Sequence, residues 1–375
     1  MSRLFLLIFI SHALMGSLTV LQAAPLKLVM EEFMGGTGKS AASLIKTALM
    51  KTGDFDLDEE SGQAIIRGSS SAGRIDGALI ATSGQVLFNN QYDYGDMRQN
   101  AWAFADDIQQ AITGTAGIAS TSIAFVSDVS GAREIYITSP DGKRVKQLTR
   151  DRSISLSPAL GPGGRLLAHT SYAGGFADVY VTNLENGARQ KIFSAQGTNS
   201  GAAFSQDGTR LALSMSYEGD PEIYTAQVNG KGLRRLTESL SVEFSPAWAP
   251  DGQRLVFCSD ASGSPQLYVK ARKGQGAAER LDTGYKSCTG PDWSPNGQRI
   301  AFTGSKGRSK TVAVFDLGSG TATDLLSGAE DPAWAPDARH LAAVMDGALI
   351  IIDTRTGKHE KVLTYGKISE PTWAK

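Results

Sequence analysis

Pro246-Ala-Trp-Ala-Pro-Asp-Gly252 is the stretch that decides the fold, because it returns as Pro291-Asp-Trp-Ser-Pro-Asn-Gly297 and as Pro332-Ala-Trp-Ala-Pro-Asp-Ala338. Weaker copies stand at Ala202-Ala-Phe-Ser-Gln-Asp-Gly208 and Pro158-Ala-Leu-Gly-Pro-Gly-Gly164. An Asp-Gly pair suits the turn between two antiparallel strands, since glycine accepts positive φ and the Asp carboxylate bonds the turn backbone. The Trp or Phe ahead of it is expected to pack between neighbouring repeat units.

Two further patterns recur with this one. Each copy precedes an apolar strand, as in Leu255-Val-Phe-Cys-Ser-Asp260, and an apolar strand of this type occurs six times, the first at Ile123 to Asp128. A second strand type, with an apolar or aromatic centre, also occurs six times; its central residues 136, 180, 224, 268, 313 and 350 are spaced 44, 44, 44, 45 and 37. That is the four-strand blade period of a β-propeller. The strand at Ile123 has no turn motif before it, and the missing copy lies at the other end of the chain, as Pro371-Thr-Trp373. The C-terminal residues are therefore expected to supply the innermost strand of blade one and close the ring without a covalent bond. Closure removes the open sheet edges that invite aggregation. The fold class is mainly β: a six-bladed β-propeller preceded by a small α/β N-terminal domain.

Residues 24–118 lack the period. Leu26 to Met30, Gly77 to Ile80 and Val86 to Phe88 read as strands, while Lys39 to Thr52 and Met97 to Ile112 place apolar residues at helical spacing. Ahead of them, Arg3, the apolar run Leu4 to Ile10 and the small-residue end Leu21-Gln-Ala-Ala24 read as a secretory signal peptide cut near Ala23. The expected division is 1–23 signal peptide, 24–118 α/β domain and 119–375 propeller. Cys258 and Cys288 are thirty residues apart; they either staple neighbouring repeats or are two unpaired core side chains, and spacing does not separate the two.

Composition narrows function. Lys plus Arg is 37 and Asp plus Glu 38, giving a net charge of −1, so nothing in the global charge attracts nucleic acid or an acidic membrane surface. Glycine is 42 of 375 residues, about 11% against a usual ~7%, which fits many tight turns. Gly35-Gly-Thr-Gly-Lys-Ser40 ends like a phosphate loop, but Phe33 occupies the position of its first required glycine. It reads instead as a glycine-rich loop with Ser40 near a helix start. No strict Gly-x-Ser-x-Gly elbow occurs. His169, His340 and His359 fall in different repeats without metal-ligand spacing, and Asp207, Asp251 and Asp337 recur because the turns recur. The expectation is no catalytic residue, no cofactor and no metal. The alternatives are a propeller hydrolase or lactonase with a metal in its channel, or a secreted peptide- or glycan-binding module.

The signal peptide, small α/β domain and six repeats of the Pro-Ala-Trp-Ser-Pro-Asp-Gly type together resemble the TolB family of the Tol-Pal envelope system. Thr52-Gly-Asp-Phe-Asp-Leu-Asp58, Ile75-Asp-Gly-Ala-Leu-Ile80 and Trp102 to Gly114, running on to Ile123-Ala-Phe-Val126, look like the family's pattern at the same places. The resemblance implies a non-enzymatic, monomeric periplasmic adaptor that binds a Pal-type peptidoglycan-associated lipoprotein at the funnel mouth and supports outer-membrane integrity and constriction at division. It implies contacts in the loops just before the Pro-x-Trp motif. By position these are Thr198, Asn199, Ser200 and Gly201, then Phe244 and Ser245; by repeat equivalence they continue as Thr289 and Gly290, Glu330 and Asp331, and Ser369 and Glu370. Alanine at Glu330, Asp331 and Glu370 together is expected to weaken partner binding and leave the fold intact. The family reaches the inner-membrane protein TolA through an extended leading segment, whereas here Ala24-Pro25 runs almost directly into Leu26. That departure puts TolA as a partner in doubt.

Overall fold

The computed structural model describes residues 24–58, 61–273 and 276–375, so the signal-peptide reading lies outside the described residues. From Ile123 to Trp373 the chain forms six four-stranded antiparallel sheets, the blades of a propeller. Their innermost strands are Ile368–Trp373 in blade one, then Ser155–Leu160, Asn199–Phe204, Glu243–Trp248, Ser287–Trp293 and Ala329–Trp334 in blades two to six. The second strands are buried along almost their whole length, as in Ile123–Ser127 and Arg254–Ser259. A blade packs on both faces, so both rows of side chains must be apolar or internally satisfied.

The recurring indoles lie between blades, as expected. Trp248 is buried among Ala212 and Ile223 of blade three and Leu255 and Phe257 of its own blade, and its Nε1 donates to the Ala203 carbonyl of blade three at 3.2 Å. Trp334 repeats this, donating to the Asp292 carbonyl of blade five at 3.1 Å. Arg254 and Arg299 stack over Trp293 and Trp334, 5.0 and 4.8 Å from the ring centres. The Asp-Gly turns also behave as read: Asp207 and Asp251 accept the backbone N–H two residues on, at 3.0 and 2.8 Å.

Closure takes the predicted form. Ile368 pairs with Ser127 and Trp373 with Ile123 in antiparallel register. Trp373 fills the seam between blades six and one, beside Ala342 and Val344 on one side and Ile123 and Phe125 on the other. Lys375 then crosses the channel floor, donating to Asp292 Oδ1 at 2.6 Å and the Trp293 carbonyl at 3.0 Å.

Ahead of the propeller stands a five-stranded sheet of β1 (Leu26–Met30), β2 (Phe55–Asp58), β3 (Ala64–Ser71), β4 (Arg74–Ala81) and β5 (Val86–Tyr92), in the order β2-β1-β3-β4-β5. Helices α1 (Gly38–Thr52) and α2 (Met97–Thr113) pack on it around Ile45, Leu79, Phe104 and Ile108. The sequence reading has both helices and β1, β4 and β5. It lacks β2, four residues with alternate aspartates, and β3, whose second half Arg67-Gly-Ser-Ser-Ser71 carries no apolar signal. A Cβ on Gly38 would lie 2.1 Å from the Phe33 carbonyl oxygen, so close packing of the helix start accounts for that glycine. Asp54 accepts from Arg339 at 2.8 Å and Arg355 at 2.9 Å of blade six. Asp106 accepts the N–H groups of Ala119 and Ser120, tying the connecting segment to α2.

Cys258 and Cys288 are both free and buried in the cluster between blades four and five. Burial pushes both thiols up, that of Cys288 to about 11, which leaves them protonated and unreactive at neutral pH.

His169 is out of keeping with its neighbours. It stands where other second strands carry Phe125, Leu213, Phe257 and Phe302, and it stacks on Tyr180 at 5.7 Å as Phe125 stacks on Tyr136. It is fully buried and neither ring nitrogen has a hydrogen-bond partner. Burial and the nearby Arg189 push its pKa down to about 4 from an ordinary 6.5.

Two predictions follow from closure and from this ring. Deleting Glu370 to Lys375 removes Trp373 and exposes the edge of blade one; the loss of one buried indole alone costs about 3–5 kcal/mol, so a lower melting temperature with aggregation by light scattering is expected. His169 is neutral when folded and the unfolded chain binds the extra proton, so stability is full above pH 6.5 and falls as pH drops towards 4, by up to about 3 kcal/mol. His169→Phe should flatten this acid limb in denaturant titrations between pH 4 and 7, and an unchanged slope would assign the limb to other groups.

Candidate functional site: the channel mouth

The residue before the Pro-x-Trp motif adopts the left-handed conformation in every blade: φ is 49° at Ser157, 63° at Gly201, 50° at Ser245, 57° at Gly290, 54° at Asp331 and 52° at Glu370. The strand pairing slips at the same step in all six inner strands. Each is a β-bulge, which turns the start of the strand and re-aims its side chains. The six bulges ring one end of a channel of about 360 Å³. Four of the six residues are not glycine, and each of those carries about 1 kcal/mol or more of backbone strain that its surroundings must hold.

The preceding blade does the holding. The bulge N–H of Gly201 donates to Thr170 at 3.4 Å, that of Asp331 to Thr303 at 2.8 Å, and that of Gly290 to the Cys258 sulfur. These acceptors occupy equivalent places on second strands. Blades one and six have Val126 and Val344 there, which offer no acceptor. In those two blades the bulge residue itself is acidic and reaches forward: Asp331 accepts from the Glu370 N–H at 3.2 Å, and Glu370 accepts from the Ser157 N–H at 2.6 Å. Asp331 and Glu370 are thus braces between blades. Burial, followed by the neighbouring Glu330 and Glu370, raises the Asp331 carboxyl above its ordinary value. Alanine at both would strip the partners from two bulge N–H groups at about 1–3 kcal/mol each, so the expectation that the triple substitution spares the fold is corrected.

The remaining sequence-derived positions gather at the same end. Glu330 pairs with Lys310. Ser369 and Glu370 both accept from Arg133, at 3.3 and 3.0 Å. Thr198 is exposed, with its N–H on Ser216; Ser200, Ser245 and Thr289 are half-buried, and Phe244 is half-buried against the core between blades four and five. Asn199 lies at the same level, but its side chain turns inward, donating to the Ala177 and Ala195 carbonyls at 3.0 and 2.8 Å. Sequence reasoning omitted blade two from the ring. Leu156 and Ser157 complete it, and the weak Pro158-Ala-Leu160 copy was the signal that could have placed them.

The rim shows a second property. Val129, Ile154, Phe176, Tyr217, Leu240 and Val242 are large, exposed and apolar, with Phe176 at 72% and Leu240 at 97% of full exposure. All six lie in loops at the mouth end, over blades one to four, whereas among the described residues Leu233 alone of the propeller's exposed large hydrophobics lies elsewhere. Glu330, Asp331 and Glu370 hold the opposite side, over blades six and one. These loops differ in length and carry no period, so nothing in the sequence marked them. Among the described residues no group of three or more His, Cys, Asp or Glu side chains is placed to hold a metal ion.

A family model described as the TolB β-propeller domain matches residues 109–375. The chain is 37% identical over 128 residues to the Tol-Pal system protein TolB of Geobacter sulfurreducens, covering 32% of this chain and 30% of that protein. It is 41% identical over 107 residues to a TolB homologue of Chlorobium chlorochromatii, covering 27% and 24%. These matched stretches span less than a third of either curated relative. In three dimensions it resembles the crystal structure of TolB from Acinetobacter baumannii, with a TM-score of 0.79 and 25% identity over 94% of this chain and 97% of that one. With the matched model spanning all six blades, the chain belongs to the TolB β-propeller family.

Proposed function

We propose that this protein is a non-enzymatic periplasmic adaptor of a Tol-Pal system whose channel mouth binds a Pal-type lipoprotein. The observation that carries the reading is the concentration of exposed apolar side chains in the mouth loops, because an apolar patch rimmed by charge marks a protein-binding face. The opposite end supports it: there Asp54, Arg339, Arg355 and Asp353 are engaged between the α/β layer and blade six, leaving the mouth as the propeller's free end. In this reading the partner's apolar segment lies over Phe176, Tyr217 and Leu240, and its basic groups meet Glu330. The contact set is Thr198, Ser200, Gly201, Phe244, Ser245, Thr289, Gly290, Glu330 and Ser369, with Asn199, Asp331 and Glu370 shaping the rim from behind. In this reading the protein is periplasmic, exported with cleavage near Ala23; among the described residues no helix is long and apolar enough to cross a membrane.

The test is calorimetric titration of the mature protein with the periplasmic domain of a Pal-type lipoprotein from the same organism. One-to-one saturable binding is expected. Phe176→Ser with Leu240→Ser should weaken it tenfold or more, about 1.4 kcal/mol, at unchanged melting temperature. Glu330→Ala, which spares both braces, should weaken it less and mostly at low salt. Wild-type affinity in both variants would sink the mouth as the binding face.

A further inference from the structure

At four of the six junctions between blades, the N–H at the start of an inner strand bonds the carbonyl just ahead of the preceding blade's third strand, which brings the first residue of that strand against it. The bond from Ser155 to Arg133 and the bond from Glu243 to Pro221, both 2.8 Å, are two instances. The residues at the corresponding places are mostly an acid or amide with a neutral counterpart: Glu134 with Ser155, Asp178 with Asn199, Gln266 with Cys288. At the last two junctions the equivalent residues, Thr311 with Ala329 and Ala348 with Ile368, carry no ionisable group. Between blades three and four, alone among the described residues, both are acids, Glu222 and Glu243, exposed by only 1% and 3%.

Their surroundings cannot balance two charges. Arg235 donates to Glu222 Oε1 at 2.9 Å but also to Glu218 at 3.3 Å, so one cation is divided between two carboxylates. Tyr224 donates to Glu218, Glu238 lies in the adjoining loop beside Arg235, and Asp260 follows Ser259 on the second strand of blade four. Glu222 Oε2 is buried with no partner. A proton on Glu243 directed at that oxygen satisfies it and halves the buried charge.

The same two carboxyls hold a loop. Ser239 donates its N–H to Glu222 Oε1 at 2.5 Å and reaches both Glu243 oxygens through its hydroxyl, at 3.0 and 2.9 Å. Ser239 sits in loop 236–242, which carries Leu240 and Val242 to the mouth. We propose that Glu222 and Glu243 share one proton, and that this proton latches loop 236–242 in place, making the apolar rim of the mouth pH-sensitive. The latch stands on the pair alone; its effect on a partner rests on the binding reading above.

The direction follows from the chemistry. Burial, then the hydrogen bond with Glu222, pushes Glu243 up to about 7, while the bonds Glu222 accepts outweigh its own burial and lower it. Below that pH the latch is closed. Above it two buried carboxylates repel, and although the Ser239 donors favour the ionised pair, opening of loop 236–242 gives the carboxylates the water that burial denies them, which is the larger effect. The folded state holds the extra proton where an unfolded carboxyl near 4.5 has lost it, so stability declines as pH rises from about 4.5 to about 7 and is level beyond.

Amide hydrogen exchange of the peptide spanning 236–242, read by mass spectrometry from pH 5.5 to 8.5 and normalised for intrinsic rate, tests this on the full mature chain. Protection in the wild type should fall about tenfold as pH rises towards 7 and stay level above it. Glu243→Gln, an isostere that keeps a donor, should stay protected throughout. Ser239→Ala should be unprotected at every pH, so the idea does not hang on one variant. A flat wild-type profile, a step surviving in Glu243→Gln, or a fall displaced by added calcium would each overturn the shared proton. Titration of the Pal-type domain at pH 6 and 8 separates the two readings. A loop step without binding at either pH upholds the latch and sinks the partner, whereas binding with a flat loop does the reverse.

Discussion

The structure depends on one non-covalent seam, the pairing of Ile368–Trp373 with Ile123–Ser127. A propeller blade is a four-stranded sheet with two apolar faces, and it is stable only between two neighbours; a ring supplies both for every blade, and a broken ring leaves two faces and an edge in water. Trp373 is the side chain that makes the seam a packed interface like the other five, and Lys375 extends the hold across the channel to Asp292.

Closing the ring brings six equivalent strand starts to one circle, and a bulge in each opens the mouth. Five of the six bulge N–H groups are satisfied from the neighbouring blade, in two ways: by a hydroxyl or thiol on the second strand, or by an acidic side chain on the bulge itself where the second strand has valine. The mouth's acidity over blades six and one therefore has a structural origin. Any partner that uses this charge meets groups already committed to holding blades together, which leaves Glu330 as the acid there with no part in bracing a bulge.

The apolar arc over blades one to four has no such structural role. Phe176 and Leu240 stand in loops between strands and could be polar at no cost to the core. Their exposure at one end of the ring, opposite the end engaged by the α/β layer, gives the molecule a polarity from one face to the other that the adaptor reading uses.

The six blades, their order and the exchange of the last strand were all legible in the sequence, because inter-blade packing demands an aromatic residue at one fixed position and the inner turn demands Asp-Gly, and both demands recur with the blade. The α/β layer was legible where periodicity was long, in α1 and α2, and not in β3, whose serines are tolerated near a sheet end. The mouth positions could be placed by their offset from Pro-x-Trp, except in blade two where Leu160 replaces the tryptophan. The repeat, and everything that repeats with it, is written along the chain. Contacts between non-equivalent side chains exist only in the closed ring: Asp331 and Glu370 brace the next blade, Asn199 turns inward, and Glu222 meets Glu243. The reason is that a periodic signal records the interactions each blade makes in common. Charge, burial and proton sharing depend on which two particular side chains closure brings face to face.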